Sequence, residues 1–328
     1  MKINSFYLSL FTILLTACTF SGTNKDDQID PNIKSQIHEL NSKIIEGINE
    51  NNPDKVFSIC SPNLLEKKGD LNNLMQLLKG HLEINNFEIL NEFYQKNTSK
   101  NITTQVMTGR NKDHDYVIGY EALNKEMYVL VGYFKDEIYE KSITLIYGKY
   151  GNTWKLNIIN FGVLRIMNKN AYDWYLVAKT NFDKGYLIDA ICNLGIATQV
   201  LKPANQLWQY QKEKEIKDFE MKVRNEINAK FIFPLSVNYV NSKPKVFRIF
   251  PIGINVGYFP VIEYTTTINL SDTTSLSKEC DEIHSKIGEI FNGIDKNNKM
   301  IVYRAFKVIP KENESVEQYG FIRNNNNR

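Results

Sequence analysis

The sequence predicts an α+β fold, and three observations carry that reading. Ile33, Ile37, Leu40, Ile44 and Ile48 recur at helical spacing, and β-rich runs then follow one another from Phe87 to Ile159. After a helical stretch rich in small residues, the remainder reads strand, strand, helix, strand, which is the order of a small two-layer α+β domain. With 328 residues, 42% hydrophobic and 23% charged, the chain is long enough for about two domains. That composition excludes a wholly disordered or collagen-like protein.

The N-terminus sets the compartment. Lys2 precedes an apolar stretch from Phe6 to Leu15, and small residues then lead to Cys18. A helix of that length rises about 15 Å against a hydrocarbon core of about 30 Å, so the segment reads as a processed secretory signal and not as a span. Leu15-Thr16-Ala17-Cys18 resembles the lipobox of bacterial lipoproteins. The resemblance implies cleavage before Cys18 and a diacylglycerol on its sulfur, with acyl chains that anchor the protein to a membrane without crossing it. Thr19 to Asn32 is polar and reads as a flexible tether with a reach of about 20 Å. Lys25-Asp26-Asp27 is loosely similar to the surface-export signal of Bacteroidetes lipoproteins, but it lies further from the cysteine. Thr19 is not the aspartate that retains enteric lipoproteins at the inner membrane, so the outer membrane is expected, its periplasmic face ahead of the cell surface.

Asp30-Pro31 starts the first helix as an N-cap followed by proline. Asn51-Asn52-Pro53 stops and restarts it, Ser61-Pro62 caps another short helix, and Asp70 opens a third with Leu71, Leu74 and Leu78. The β-rich runs are 87–94, 102–109, 116–123, 127–134, 142–147 and 154–159, with turns at Leu123-Asn124-Lys125 and Tyr150-Gly151-Asn152. They predict one antiparallel, strongly curved sheet. This order, closing on Gly151-Asn152-Thr153-Trp154-Lys155-Leu156, resembles the cone-shaped fold of the nuclear transport factor 2 superfamily from about Pro31 to Met167. The resemblance implies a binding or dimerisation module, or in a minority an enzyme of the ketosteroid isomerase kind.

Trp174, Ala178, Gly185, Ala190, Leu194, Ala197 and Pro203 are similar to one tetratricopeptide repeat. A single unit cannot build a solenoid, so a hairpin that docks on its neighbours is expected. Asn205 to Lys230 reads as a charged connecting helix. Strands are expected at 231–250, 256–270 and 300–309, with a helix through Leu276, Cys280, Ile283, Ile287 and Ile290. The expected organisation is a signal peptide (1–17), a tether (18–32), a cone-shaped domain (33–167), a tetratricopeptide-like hairpin with its connecting helix (168–230), a C-terminal α+β domain (231–322) and a disordered tail (323–328).

Chemistry is sparse in the sequence. A net charge of +3, with only seven arginines and no lysine run longer than Lys67-Lys68, argues against nucleic acid as a partner. No nucleophile elbow, phosphate loop, dinucleotide fingerprint or zinc motif occurs. In an extended Asp113-His114-Asp115 the histidine cannot share a metal site with both aspartates, because alternate residues face opposite ways, and the polar, turn-like segment from Arg110 to Asp115 reads as a solvated hairpin corner. Cys280 and His284 stand i,i+4, but Cys280 lies on the apolar stripe and reads as an inert thiol. His38 and His81 suit solvated or core-edge positions. Cys60, Cys192 and Cys280 fall in separate elements and predict no essential disulfide. Tyr116, Tyr128 and Tyr147 are the candidate lining of a pocket in the curved sheet, and an isomerase-like site there needs Asp136 or Glu121 as its base. The expected function is therefore a lipid-anchored envelope binding or adaptor protein with a protein or peptide partner, no catalysis, no cofactor and no metal. The alternative is a small-molecule pocket or an isomerase- or dehydratase-like enzyme in the cone-shaped domain.

Overall fold

Polar residues placed just ahead of their runs start the first three N-terminal helices. In the computed structural model, which describes residues 22–80, 82, 84–311 and 314–325, Asp30 accepts a hydrogen bond from the Asn32 backbone N–H at the start of α1 (Pro31–Asn49). Asn52 and Ser61 cap α2 (Pro53–Phe57) and α3 (Pro62–Leu65) in the same way. Asp70 does not open the next helix as expected: α4 (Lys68–Leu78) begins two residues earlier, without a side-chain cap, and holds Asp70 in its first turn. Ile37, Ile44 and Ile48 of α1 are buried, as their spacing predicts.

Strands β1 (Gly22–Lys25), β2 (Phe87–Lys96), β3 (Ile102–Met107), β4 (Tyr116–Ala122), β5 (Glu126–Phe134), β6 (Tyr139–Tyr150) and β7 (Thr153–Ile166) come next. The helices α5 (Ala171–Asp183) and α6 (Leu187–Gln199) form the expected hairpin. Strand β8 (Trp208–Tyr210) and helix α7 (Glu213–Lys230) follow. The C-terminal part contains β9 (Leu235–Ser236), β10 (Lys245–Ile254), β11 (Gly257–Thr265), α8 (Thr273–Ser285), α9 (Ile287–Ile290), α10 (Ile294–Asn297), β12 (Met300–Phe306) and β13 (Gln318–Asn324). The class is α+β, as the sequence predicts.

The N-terminal strands do not make one sheet. The main sheet runs β1-β2-β5-β6-β7, all antiparallel, whereas β3 and β4 leave it and pair with β8. The reason lies in β5, where Met127 to Gly132 are buried without a break. Tyr128 and Leu130 face the cluster made with α1, α2 and α4, while Met127, Val129 and Val131 face a second cluster shared with β4, β8 and α5 to α7. A strand that is apolar on both faces needs a layer on each side, and the small sheet and the hairpin supply the second one.

Three further sequence expectations are corrected. Residues 22–25 are not free tether, because Gly22 to Lys25 pair with Lys96 to Phe93 along the sheet edge. The segment from Asn205 is not one helix: Asn205 takes a left-handed conformation (φ 52°), and Trp208 to Tyr210 become a strand before α7 begins. Residues 323–325 are not disordered tail, since β13 adds a fifth strand and Asn325 donates to the Asn298 carbonyl at 2.7 Å.

The C-terminal sheet runs β13-β12-β11-β10-β9, with β11 and β12 parallel and α8 between them in the chain. Its core joins that of the hairpin without interruption. Where the hairpin's exit loop meets the main sheet, Ser142 donates to the Pro203 carbonyl at 2.7 Å, and a Cβ on Gly162 would stand 2.3 Å from that same oxygen. Glycine is required there by close backbone approach.

Candidate functional site

Cys18, the candidate lipidation residue, and His81 lie outside the described residues. Among the described residues, no helix is long and apolar enough to cross a membrane, and no group of three His, Cys, Asp or Glu is placed to hold a metal ion.

The three candidate tyrosines do not line one pocket. Tyr128 and Tyr147 are cross-strand partners on β5 and β6, both fully buried against the α1 side. Tyr116 stands on β4 in the opposite cluster, stacked on Trp208 with ring centroids 3.7 Å apart. The sheet separates them, because strand alternation sends its two faces into different layers. Burial holds the Tyr128 phenol far above its usual range, and its bond to Glu92 adds to the effect, so it serves as a neutral donor.

Sequence spacing missed a dense polar arrangement centred on Glu92. Glu92, on β2 and only 3% exposed, accepts from the Tyr128 hydroxyl at 2.5 Å, meets His38 Nε2 at 2.7 Å and meets Lys34 Nζ at 3.1 Å. Its backbone N–H donates to Asp26 Oδ1 at 2.8 Å, while Asp26 Oδ2 accepts from Asn91, whose own Oδ1 accepts from Tyr116. A shift in register between Ile89 and Asn91 accompanies this polar stretch of β2. Glu92, Tyr128, His38 and Lys34 come from one helix and two strands, which is why linear motifs do not reveal them. The i,i+4 spacing of Lys34 and His38 on α1 is the only local signal. Asp136 and Glu121, the bases the isomerase analogy needs, are elsewhere: Asp136 caps a turn through the N–H groups of Ile138 and Tyr139, and Glu121 is exposed. Backbone hydrogen bonding from Tyr139 chiefly lowers the Asp136 pKa.

The other candidates are occupied by structure. His114 accepts from Asn170 at 2.8 Å, and the Asp115 oxygens accept from Thr108 and from the Lys112 N–H. Asp115 is buried, which corrects the solvated-corner expectation: the carboxylate holds the turn together from inside. The Cys280 thiol is fully buried and pushed up to about 12 by that burial, while His284 turns to the Tyr303 hydroxyl at 3.0 Å.

Two further features face outward. A groove of about 220 Å³ lies between the two N-terminal sheets, lined by Asn91, Tyr116, Arg165, Trp208 and Tyr210 among others. The second is the face of the C-terminal sheet opposite α8. Register places Phe250, Val261, Val302 and Ile322 in one row across β10 to β13, and Arg248, Glu263 and Arg304 in the next. Arg248 and Arg304 both pair with buried Glu263, and both guanidinium groups lie within 6 Å of the Phe250 ring. Ile322 is 54% exposed at the outer end. Comparison with family models, with curated proteins and with solved structures finds no match to this chain.

Proposed function

We propose that the protein is a lipid-anchored binding or adaptor protein of the bacterial envelope, held at the outer membrane through Cys18 and presenting its C-terminal sheet to a protein or peptide partner. The sheet face opposite α8 carries this reading: an apolar row that runs from buried Val261 through half-buried Val302 to exposed Ile322 lies beside two guanidinium groups that share one carboxylate. Aromatic residues and arginine are enriched in protein contacts, and Phe250 with Arg248 and Arg304 supplies both here. The periplasmic face of the membrane is favoured over the cell surface, as the sequence around Cys18 suggests.

A second reading rests on Glu92. A buried carboxylate within reach of a tyrosine and a histidine has the parts of an acid–base site. Against it, three side-chain donors occupy the carboxylate, and neither Glu92 nor Tyr128 lines the groove between the two N-terminal sheets.

The test combines fractionation with cross-linking in the native envelope. Wild-type protein is expected in the membrane fraction, cross-linked to a partner. Cys18→Ser should move it to the soluble fraction, and Ile322→Glu should lose the partner while keeping its unfolding midpoint. Equal partner recovery from Ile322→Glu rules out the sheet face, and an unmodified mature N-terminus by mass spectrometry rules out the anchor.

A further inference from the structure

The groove between the two N-terminal sheets combines an aromatic wall with an unanswered donor. Trp208 is 1% exposed, packed between the Tyr116 ring and the edge of Tyr210, and its indole N–H meets no acceptor. Its neighbours in the same wall do find partners. The Tyr116 hydroxyl donates to Asn91 at 2.8 Å, Asn170 donates to His114 at 2.8 Å, and both Asp115 oxygens accept bonds. The contrast extends to Trp174, whose indole N–H donates to the Ile166 carbonyl at 3.1 Å. A buried indole N–H normally finds such a partner, and leaving it without one costs about 1 to 3 kcal/mol.

Arg165 lines the same groove. It gives Nη1 to Glu140 at 2.6 Å and also engages Tyr133, whose ring centroid lies 5.2 Å from its Cζ, and the remaining donors of its five-donor fork are left for a guest. Lys112 adds a second cation at the rim, and Asp115, the one acid of the lining, is already engaged by Thr108 and Lys112. The unspent capacity of this wall is therefore for donation. An indole can pair only with an acceptor, and a guanidinium prefers an anionic one.

We propose that this groove binds a small carboxylate, seated on the Trp208 indole N–H and the Arg165 guanidinium. A volume of about 220 Å³ admits a free organic acid or the last residue of a peptide. This site is separate from the C-terminal sheet face and does not depend on the partner proposed there.

The three tryptophans give three indole N–H resonances, and Trp208→Phe assigns the one that matters. Titrating the full chain with acetate at constant ionic strength should move the Trp208 resonance downfield and saturably, with Trp154 and Trp174 unchanged. Acetamide and chloride should not reproduce the shift. Arg165→Gln should weaken acetate by about tenfold or more, the loss expected for a charge-assisted bond. Because that variant also strands buried Glu140, Lys112→Gln provides an independent weakening and the wild-type titration decides. A dipeptide that binds more tightly than acetate and loses affinity when amidated identifies a peptide C-terminus as the source, and equal affinities identify a free acid. No saturable shift, or a shift shared by acetamide, overturns the proposal and leaves the Trp208 indole as a packing element of the wall.

Discussion

The Tyr128 hydroxyl donates to Glu92 across the β2–β5 pair at 2.5 Å, and it ties the α1 helix to the sheet because the same carboxylate holds His38 and Lys34. The bond lies inside the apolar layer, where water cannot replace a lost donor. Tyr128→Phe should therefore cost about 1 to 3 kcal/mol, the penalty of under-satisfying a buried charge. Glu92→Ala should cost more than Glu92→Gln, since glutamine keeps an acceptor for the phenol. Denaturant titration of the three variants checks the order, and equal stability of Tyr128→Phe and wild type would show that the phenol is replaceable by solvent.

How much of this was legible in the sequence depended on whether the signal was local. Helix starts at Asp30, Asn52 and Ser61, and strand positions from Phe87 onward, follow from capping chemistry and period-2 alternation, which act over a few residues. Pairing does not. Nothing near Trp208-Gln209-Tyr210 announces that Trp208 will stand opposite Ile118, and three residues carry too little alternation to mark a strand. The second layer over β5 was likewise hidden, because a fully apolar run is consistent with either one covered face or two. Glu92 was overlooked because its side-chain partners lie 36 to 58 residues away, two of them on a helix read only for its apolar stripe.

The hairpin contact is testable by overpacking. Ala190 and Ala197 on α6 are fully buried in the cluster that links the main sheet to the C-terminal sheet. Ala190→Leu should lower stability by about 1 to 3 kcal/mol, because added methylenes force neighbours off their rotamers. An unchanged midpoint would mean the contact has room that the packing does not show.

The cysteines should be silent in the native state. Cys60 lies in the α1-side cluster, Cys192 and Cys280 in the other, and all three are free thiols. Burial pushes the Cys60 thiol up to about 11 and Cys280 up to about 12, far from the thiolate form that reacts. Unfolding midpoints with and without reductant should coincide, and a thiol reagent should label these three residues only after denaturant is added. Fast labelling of any of them in the folded protein would show an opening that reaches its layer.

Glu279 on α8 gives the pH dependence. Its Oε1 accepts from Thr266 at 2.9 Å and from Ser242, while Oε2 is buried without a partner. Burial is the largest influence and raises its pKa above the ordinary glutamate value, against the smaller opposing effect of the hydroxyls. The folded state therefore prefers the protonated acid more than the unfolded chain does. The cost of ionising Glu279 is absent below the ordinary glutamate range, grows as pH rises from there toward the elevated folded value, and is fully present above it. Glu279→Gln keeps an oxygen for the two hydroxyls and removes the charge. The variant should be more stable than wild type at neutral pH, and the difference should shrink as pH falls below the glutamate range. Chemical denaturation of both proteins across that interval measures it, and a variant that is less stable at neutral pH would show that the ionised carboxylate contributes more through its hydroxyl bonds than its burial costs.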